Sequence, residues 1–300
     1  MMLQCNMAAP DPLFTDRCSL HYEPAMSHGR DPPAVPAFHP AEGTTDSVPA
    51  ILRHVLITGA SGALGGALAR QLAQSGTRLL LWGRDAERLA AIATECRAAG
   101  ADVVPRQIDL ADASAALAAL ADEDASGPIE WALLVAGQGD VAPLGTPVEP
   151  SAQVLRLATV NFAVPAAMAA ALAERMVARG RGRILLVGSA AGFHALPGAP
   201  AYAASKAGLA RFAEALRIAV APRGVSITLV SPGFIDWRDG GRPIPGPLLL
   251  PLETAARRIV AAFAAGVGHA IIPRRFGLLR LLDRVLPAAW RAALLRRLRP

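Results

Sequence analysis

Between Arg53 and Ile272, seven short apolar runs alternate with longer Ala-, Leu- and Arg-rich stretches of helical spacing. That alternation constrains the fold strongly. Parallel strands need crossovers long enough to hold a helix, and the helices then cover both faces of the sheet. The spacing predicts strands at His54–Thr58, Thr77–Trp82, Asp102–Gln107, Trp131–Val135, Arg183–Val187, Ser226–Val230 and Ala270–Ile272. Several are continuously apolar, as strands buried on both faces must be. Helices are expected to begin near Ala63, Asp85, Ser114, Ser151, Tyr202 and Leu252, with Asp85 and Ser151 as caps. The expectation is an α/β fold: one doubly wound, seven-stranded parallel sheet in a single domain over residues 51–273.

The ends of the chain read differently. Residues 1–50 carry repeated prolines, no apolar periodicity, and six acids against two arginines. They are expected to form a disordered tail, and a start assigned too far upstream fits equally well. They lack the basic start and apolar stretch of a secretory signal. The net charge of +6 is placed mostly at the other end, since residues 274–300 hold eight arginines and one aspartate. Basicity confined to one terminus, without a reading module, argues against a nucleic-acid partner. Cys5, Cys18 and Cys96 have no metal-ligand or CxxC spacing, so no metal is expected and a reducing, cytoplasmic compartment fits best. The nearest approach to a membrane span, Leu157–Ala173, is interrupted by Asn161 and Pro165 and falls short of about 20 residues.

Residues Phe276–Leu286 and Ala288–Leu298 read as two short amphipathic helices split by Pro287, with Leu278, Leu281, Leu282 and Val285 on one face. Packing over a substrate mouth or against another subunit is the favoured role. A peripheral contact with the inner face of a membrane, involving Trp290, is the less favoured one.

Chemistry-bearing motifs fall at the strand ends. The first strand runs into Thr58-Gly59-Ala60-Ser61-Gly62-Ala63-Leu64-Gly65, which opens a helix. Glycines there let backbone N–H groups approach a pyrophosphate, and the helix N-terminus favours its charge, as in a dinucleotide-binding (Rossmann) turn. After the second strand comes Gly83-Arg84-Asp85, where an acid would bind a ribose hydroxyl and an arginine accommodates a 2′-phosphate. Arg84 therefore favours NADP over NAD, and Asp85 has helix capping as its simpler role. Lys206 is the only lysine in the chain and follows Tyr202, one of two tyrosines, by four residues. A lysine one helical turn from a phenol can lower its pKa, which an arginine fork does less readily. Pro165, four residues after Asn161, has no N–H, so the Asn161 carbonyl is expected to lose its helical partner where the helix bends.

With Tyr202-Ala203-Ala204-Ser205-Lys206 and the glycine turn together, the chain resembles the short-chain dehydrogenase/reductase family over residues 51–273. Ser189, thirteen residues before Tyr202, and Asn161 match the rest of that family's catalytic set. Asp109-Leu110 resembles the pair that packs against adenine, and Ser231-Pro232-Gly233 the nicotinamide-side loop. The resemblance implies Ser189, Tyr202, Lys206 and Asn161 as catalytic residues. It implies cofactor contacts at Gly59, Ser61, Gly62, Leu64, Arg84, Asp109, Leu110, Ala136, Gly137, Tyr202, Lys206, Pro232, Gly233 and Ile235. It also implies a homodimer or homotetramer built on the helices containing Asn161 and Tyr202.

Some positions depart from the family. Ala63 stands where a glycine is usual, Leu134-Val135 where two asparagines tie the central sheet, and Trp237 where a threonine contacts the nicotinamide. These departures motivate an alternative, a non-catalytic dinucleotide-sensing protein. The favoured reading is an NADP-dependent oxidoreductase for a hydrophobic ketone or its alcohol. Phe193, Leu196, Trp237, Ile244 and Leu248-Leu249-Leu250 would line the substrate space, with His194 as its one polar group of catalytic potential.

Overall fold

The computed structural model describes residues 54–297, apart from 140, 141, 143–145, 147 and 237–248. The proline-rich segment 1–50 lies outside the described residues, as do Trp237, Ile244 and Leu248.

Seven strands form the central sheet: β1 (His54–Thr58), β2 (Arg78–Gly83), β3 (Asp102–Gln107), β4 (Trp131–Leu134), β5 (Gly182–Val187), β6 (Val225–Pro232) and, after two short strands, β9 (His269–Ile272). Their order is β3-β2-β1-β4-β5-β6-β9, and every pairing is parallel. Helices α1 (Ala63–Leu72), α2 (Ala86–Ala98), α3 (Ala113–Ser126), α4 (Ser151–Ala158), α5 (Val164–Arg179), α6 (Pro200–Val220) and α7 (Leu252–Ala264) supply the crossovers. One apolar layer packs α1, α2 and α7 on the sheet, and the other packs α3, α5 and α6. The alternating pattern thus gives the doubly wound sheet expected of it.

Asp85 caps α2 as anticipated, accepting from the Arg88 N–H at 3.0 Å. Ser151 does not cap α4. Pro150 holds that position with no side-chain bond, and Ser151 is the first helical residue. Asp112, which the sequence reading passed over, caps α3. The helix containing Tyr202 starts two residues early, at Pro200, because proline fixes a helical φ and its missing N–H is not needed there.

Between α4 and α5 the backbone makes one π-helical turn, Thr159–Ala163, followed by Pro165 in the first turn of α5. Proline cannot continue an i→i−4 ladder, so a widened turn ahead of it is a direct way to relieve the conflict. The whole stretch Ser151–Arg179 is long and apolar enough to cross a membrane. Here it packs on the sheet, with Met168, Leu172 and Met176 fully buried.

Strand order reverses between β1 and β4, and the carboxyl ends of those strands form the crevice where open α/β sheets bind ligands. Strands β7 (Phe234–Asp236) and β8 (Leu249–Pro251) pair beside it and place Ile235 and Leu250 in the core. Two C-terminal helices follow, α8 (Phe276–Val285) and α9 (Ala288–Arg297).

Candidate functional site

The glycine turn closes through backbone contact. Gly59 has φ +70°, and a Cβ there would lie 2.8 Å from the Ala136 Cα at the end of β4. A Cβ on Gly65 would lie 2.1 Å from the Gly59 carbonyl oxygen, so α1 presses onto the turn only because residue 65 has no side chain. Gly62 donates its N–H to that same carbonyl at 2.9 Å, with an ordinary φ of −88°. Ala63 is the first residue of α1, one place after this bond. The turn is therefore complete without a glycine at 63, and tightness at Gly65, rather than flexibility at Gly62, makes it so. No acid stands in the first turn of α1, whose N–H groups are left for an anion.

Thr58 compensates for the apolar pair Leu134-Val135. Its buried Oγ1 accepts from the Val135 and Ala136 N–H groups at 3.1 and 3.2 Å and ties β1 to β4.

At the β2 tip, a Cβ on Gly83 would fall 2.5 Å from Ser61 Oγ. The turn itself thus excludes a side chain at 83, unless Ser61 moves. Arg84 is next, exposed, its carbonyl accepting from Gln107 Nε2 at 3.0 Å.

Asn161, Ser189, Tyr202 and Lys206 converge beyond β4 and β5. Ser189 follows β5 and begins a 3-10 turn, Ala190–Phe193, with its Oγ accepting from the Ala191 N–H at 3.1 Å. Tyr202 and Lys206 lie one turn apart on α6, with Nζ 5.9 Å from the phenol ring centroid. Lys206 is only 4% exposed, and Nζ donates to the Val187 carbonyl at 2.9 Å. Asn161 is fully buried in the π-helical turn. Its amide clasps Gln138, with Oδ1 accepting from the Gln138 N–H and Nδ2 donating to the Gln138 carbonyl, both at 2.8 Å. The widened turn thus aims the Asn161 side chain at the segment after β4. A Cβ on Gly137 would come within 3.2 Å of both Asn161 Oδ1 and Lys206 Nζ, so glycine keeps the floor beside the ammonium open.

Electrostatics here differ from the sequence expectation in one respect. Burial pushes the Tyr202 phenol above its ordinary value, and a hydrogen bond with Ser189 offsets part of that. Burial lowers the Lys206 ammonium to about 8. In this structure the phenol is therefore moderated by Ser189 rather than by Lys206, whose ammonium is held by a main-chain carbonyl.

This arrangement is a donor phenol, a hydroxyl beside it and a desolvated cation, set under a glycine cradle that a side chain would fill. The short chain dehydrogenase family model matches residues 53–240.

The chain belongs to the short-chain dehydrogenase family.

Its relatives include an "uncharacterized oxidoreductase" of Myxococcus xanthus, 34% identical over 82% of this chain and 98% of that one. Among solved structures, a short-chain dehydrogenase from Sphingobium yanoikuyae in complex with NADPH shares 27% identity. It has a TM-score of 0.68 and covers 79% of this chain and 98% of that one. A bulky-bulky ketone specific alcohol dehydrogenase from Comamonas testosteroni has a TM-score of 0.65 at 25% identity, over 79% and 96% of the two chains. This short-chain dehydrogenase is an NAD(P)-dependent oxidoreductase, and the cradle above fits such a dinucleotide.

In this dehydrogenase the remaining anticipated contacts are distributed unevenly. Leu110 is buried, whereas Asp109 spends one carboxylate oxygen on the Ala111 N–H at 2.9 Å. Pro232 ends β6, Gly233 donates to the Ile272 carbonyl at 2.8 Å, and Ile235 is buried in β7. Several groups escaped the motifs. Ser205 Oγ donates to the Tyr202 carbonyl at 2.8 Å and lies 3.3 Å from Asn161 Nδ2, linking α6 to the π-helical turn. Buried Glu149 accepts from the Ala201 N–H at 2.8 Å and anchors the start of α6 just ahead of Tyr202. His269 Nε2 lies 2.9 Å from Ser231 Oγ, and Arg280 of α8 approaches His269 Nδ1 at 3.4 Å and covers the Phe193 ring at 5.5 Å. His194 stacks edge-on to Phe193 and is half-buried. From sequence, Ser205 could have been singled out by its place inside the Tyr-to-Lys interval, and His194 and Ser231 already stand in segments read as part of the site. The others are distant in the chain and carry no motif. Among the described residues, no cluster of His, Cys, Asp and Glu could hold a metal ion.

Proposed function

We propose that this dehydrogenase is NADP-dependent and interconverts a hydrophobic ketone and its secondary alcohol, with Tyr202 as the proton donor. The observation that carries the reading is the convergence of Tyr202, Ser189, Lys206 and Asn161 beside the glycine cradle.

The nicotinamide, when bound, supplies or accepts the hydride. Every other part of the chemistry falls to side chains. Tyr202 hands its phenolic proton to the oxygen of the carbonyl being reduced, and takes one from the alcohol in reverse. Ser189 donates to the same oxygen and stabilises charge that develops there. Lys206 stabilises the tyrosinate left behind and would hold the ribose hydroxyls of the bound dinucleotide. Asn161, clasped to Gln138, fixes the wall beside the ammonium. A phenol raised by burial needs that cation close by once its proton has gone, because an isolated tyrosinate in a desolvated pocket is costly.

Three features support NADP over NAD. Ser61 occupies the space that an acid at position 83 would need, Asp85 is committed to capping α2, and Arg84 is exposed at the strand tip. Half-buried Phe193, in the turn after Ser189, supports an apolar substrate, and the bulky ketone specificity of the Comamonas testosteroni protein agrees with it; Leu250, expected to line the substrate space, is instead buried in the core. Exposed Leu155 on α4 and Ile218 on α6 support an oligomer built on those helices. The cysteine pattern supports a cytoplasmic location.

The test is oxidation of NADPH and NADH, followed at the nicotinamide absorbance band, against a panel of long-chain, cyclic and aryl ketones. NADPH-specific turnover of apolar ketones is expected. Equal use of NADH, or turnover confined to small polar carbonyls, overturns the reading.

A further inference from the structure

The C-terminal helices have two differently used sides. The inner side of α8 packs on the dehydrogenase core. Phe276 is buried edge-on to Phe234, and Arg280 lies between His269 and Phe193. The outer side is apolar and bare: Leu278 is 62% exposed, Leu281 55% and Val285 72%, at the i, i+3, i+7 spacing of one helical face. On α9, Trp290 is 71% and Leu294 50% exposed, one turn apart. With Ala289 and Ala293 they make one open apolar face of α9. The side chain of Leu282 lies outside the described set. Each helix thus leaves large apolar side chains in solvent, and an exposed apolar face of this kind marks an interaction surface.

Charge decides what covers it. Residues 274–300 carry eight arginines against one aspartate, and Arg274 and Arg275 at the start of α8 are exposed. A two-fold contact with a second copy would set this basic segment against itself, which like-charge repulsion opposes. An anionic lipid surface satisfies both halves. Leucine, valine and tryptophan enter the headgroup and acyl boundary while arginines meet the phosphates, and tryptophan is favoured at that depth. We infer that α8 and α9 form a peripheral docking surface for an anionic membrane. Because the inner side of α8 holds Phe193, the same docking sets the 3-10 turn after Ser189 close to the bilayer.

Sedimentation of the full-length protein with vesicles tests this independently of any turnover. One set contains phosphatidylglycerol and phosphatidylcholine, the other phosphatidylcholine alone. The expected result is co-sedimentation with the anionic vesicles, weakened by salt, and little with the zwitterionic ones. A Leu281→Ser/Trp290→Ser variant should lose about tenfold or more in apparent partitioning while binding NADPH as before, since both side chains are exposed and neither belongs to the glycine cradle. Absence of binding by the wild type overturns the inference, as does binding indifferent to lipid charge or unchanged in the variant. So does a concentration-dependent dimer, seen by gel filtration, that the same variant dissolves without any vesicle binding.

Discussion

Replacing Lys206 with methionine separates what this residue does for chemistry from what it costs the fold. The ammonium is nearly fully buried and its one described partner is the Val187 carbonyl. A folded value of about 8 against an ordinary 10.5 means that the charged form is penalised on folding, by about 3 kcal/mol below pH 8. As pH rises from about 8 towards 10.5, the unfolded chain keeps a proton that the folded one has released. Stability from this residue therefore rises with pH, and the penalty falls to about 1 kcal/mol at about pH 9.5. Methionine preserves most of the stem volume and removes the charge, but leaves the Val187 carbonyl without its donor, at about 1–3 kcal/mol. Lys206→Met should therefore be as stable as the wild type at about pH 7, or up to about 2 kcal/mol more so. Its advantage should shrink by about 2 kcal/mol by about pH 9.5. Urea unfolding followed by circular dichroism, run in parallel on both proteins at the two pH values, measures the difference directly and cancels every other titrating group. A stability difference that stays constant with pH would refute the claim that Lys206 is held desolvated. Turnover should be lost in the variant at either pH.

Gly59→Ala should cost at least about 2 kcal/mol in the same unfolding assay and abolish NADPH binding by fluorescence, because its φ is positive and its Cβ would meet Ala136. Arg84→Ala should weaken NADPH about 10- to 100-fold and leave NADH nearly unchanged, as loss of one charge-assisted contact to a phosphate predicts; titration of both cofactors checks it. Glu149→Ala should destabilise by about 1–2 kcal/mol in thermal or urea unfolding, since it removes a buried acceptor at the N-terminus of α6.

The fold was legible because a parallel sheet buried on both faces writes itself as continuous apolar runs, and β1 to β6 and β9 fall within two residues of those runs, whereas the three-residue strands β7 and β8 are too short to show as runs of their own. The convergence of Asn161, Ser189, Tyr202 and Lys206 was anticipated for a different reason. Tyr202 and Lys206 share one helix, and Ser189 and Asn161 were placed by resemblance to the family. What the sequence hid was what lies between elements. The Lys206 partner is a main-chain carbonyl, which no residue type announces. Glu149 reaches α6 across 52 positions, and His269 meets Ser231 across 38. Pro165 signalled a disturbed helix, but whether the backbone would kink or widen depended on how α5 packs; it widens, and the π-helical turn delivers the Asn161 amide to Gln138. Likewise, Gly83 reads as a plain tight-turn glycine until Ser61 is seen in the space its side chain would take.

The proposed chemistry turns on the Tyr202 phenol supplying the proton as a hydride reaches a ketone. Single-turnover oxidation of bound NADPH by a turned-over ketone, compared between the wild type and Tyr202→Phe, tests it most directly. The variant should bind NADPH as the wild type does and transfer hydride at least about 100-fold more slowly. A variant that transfers hydride at the wild-type rate would contradict it.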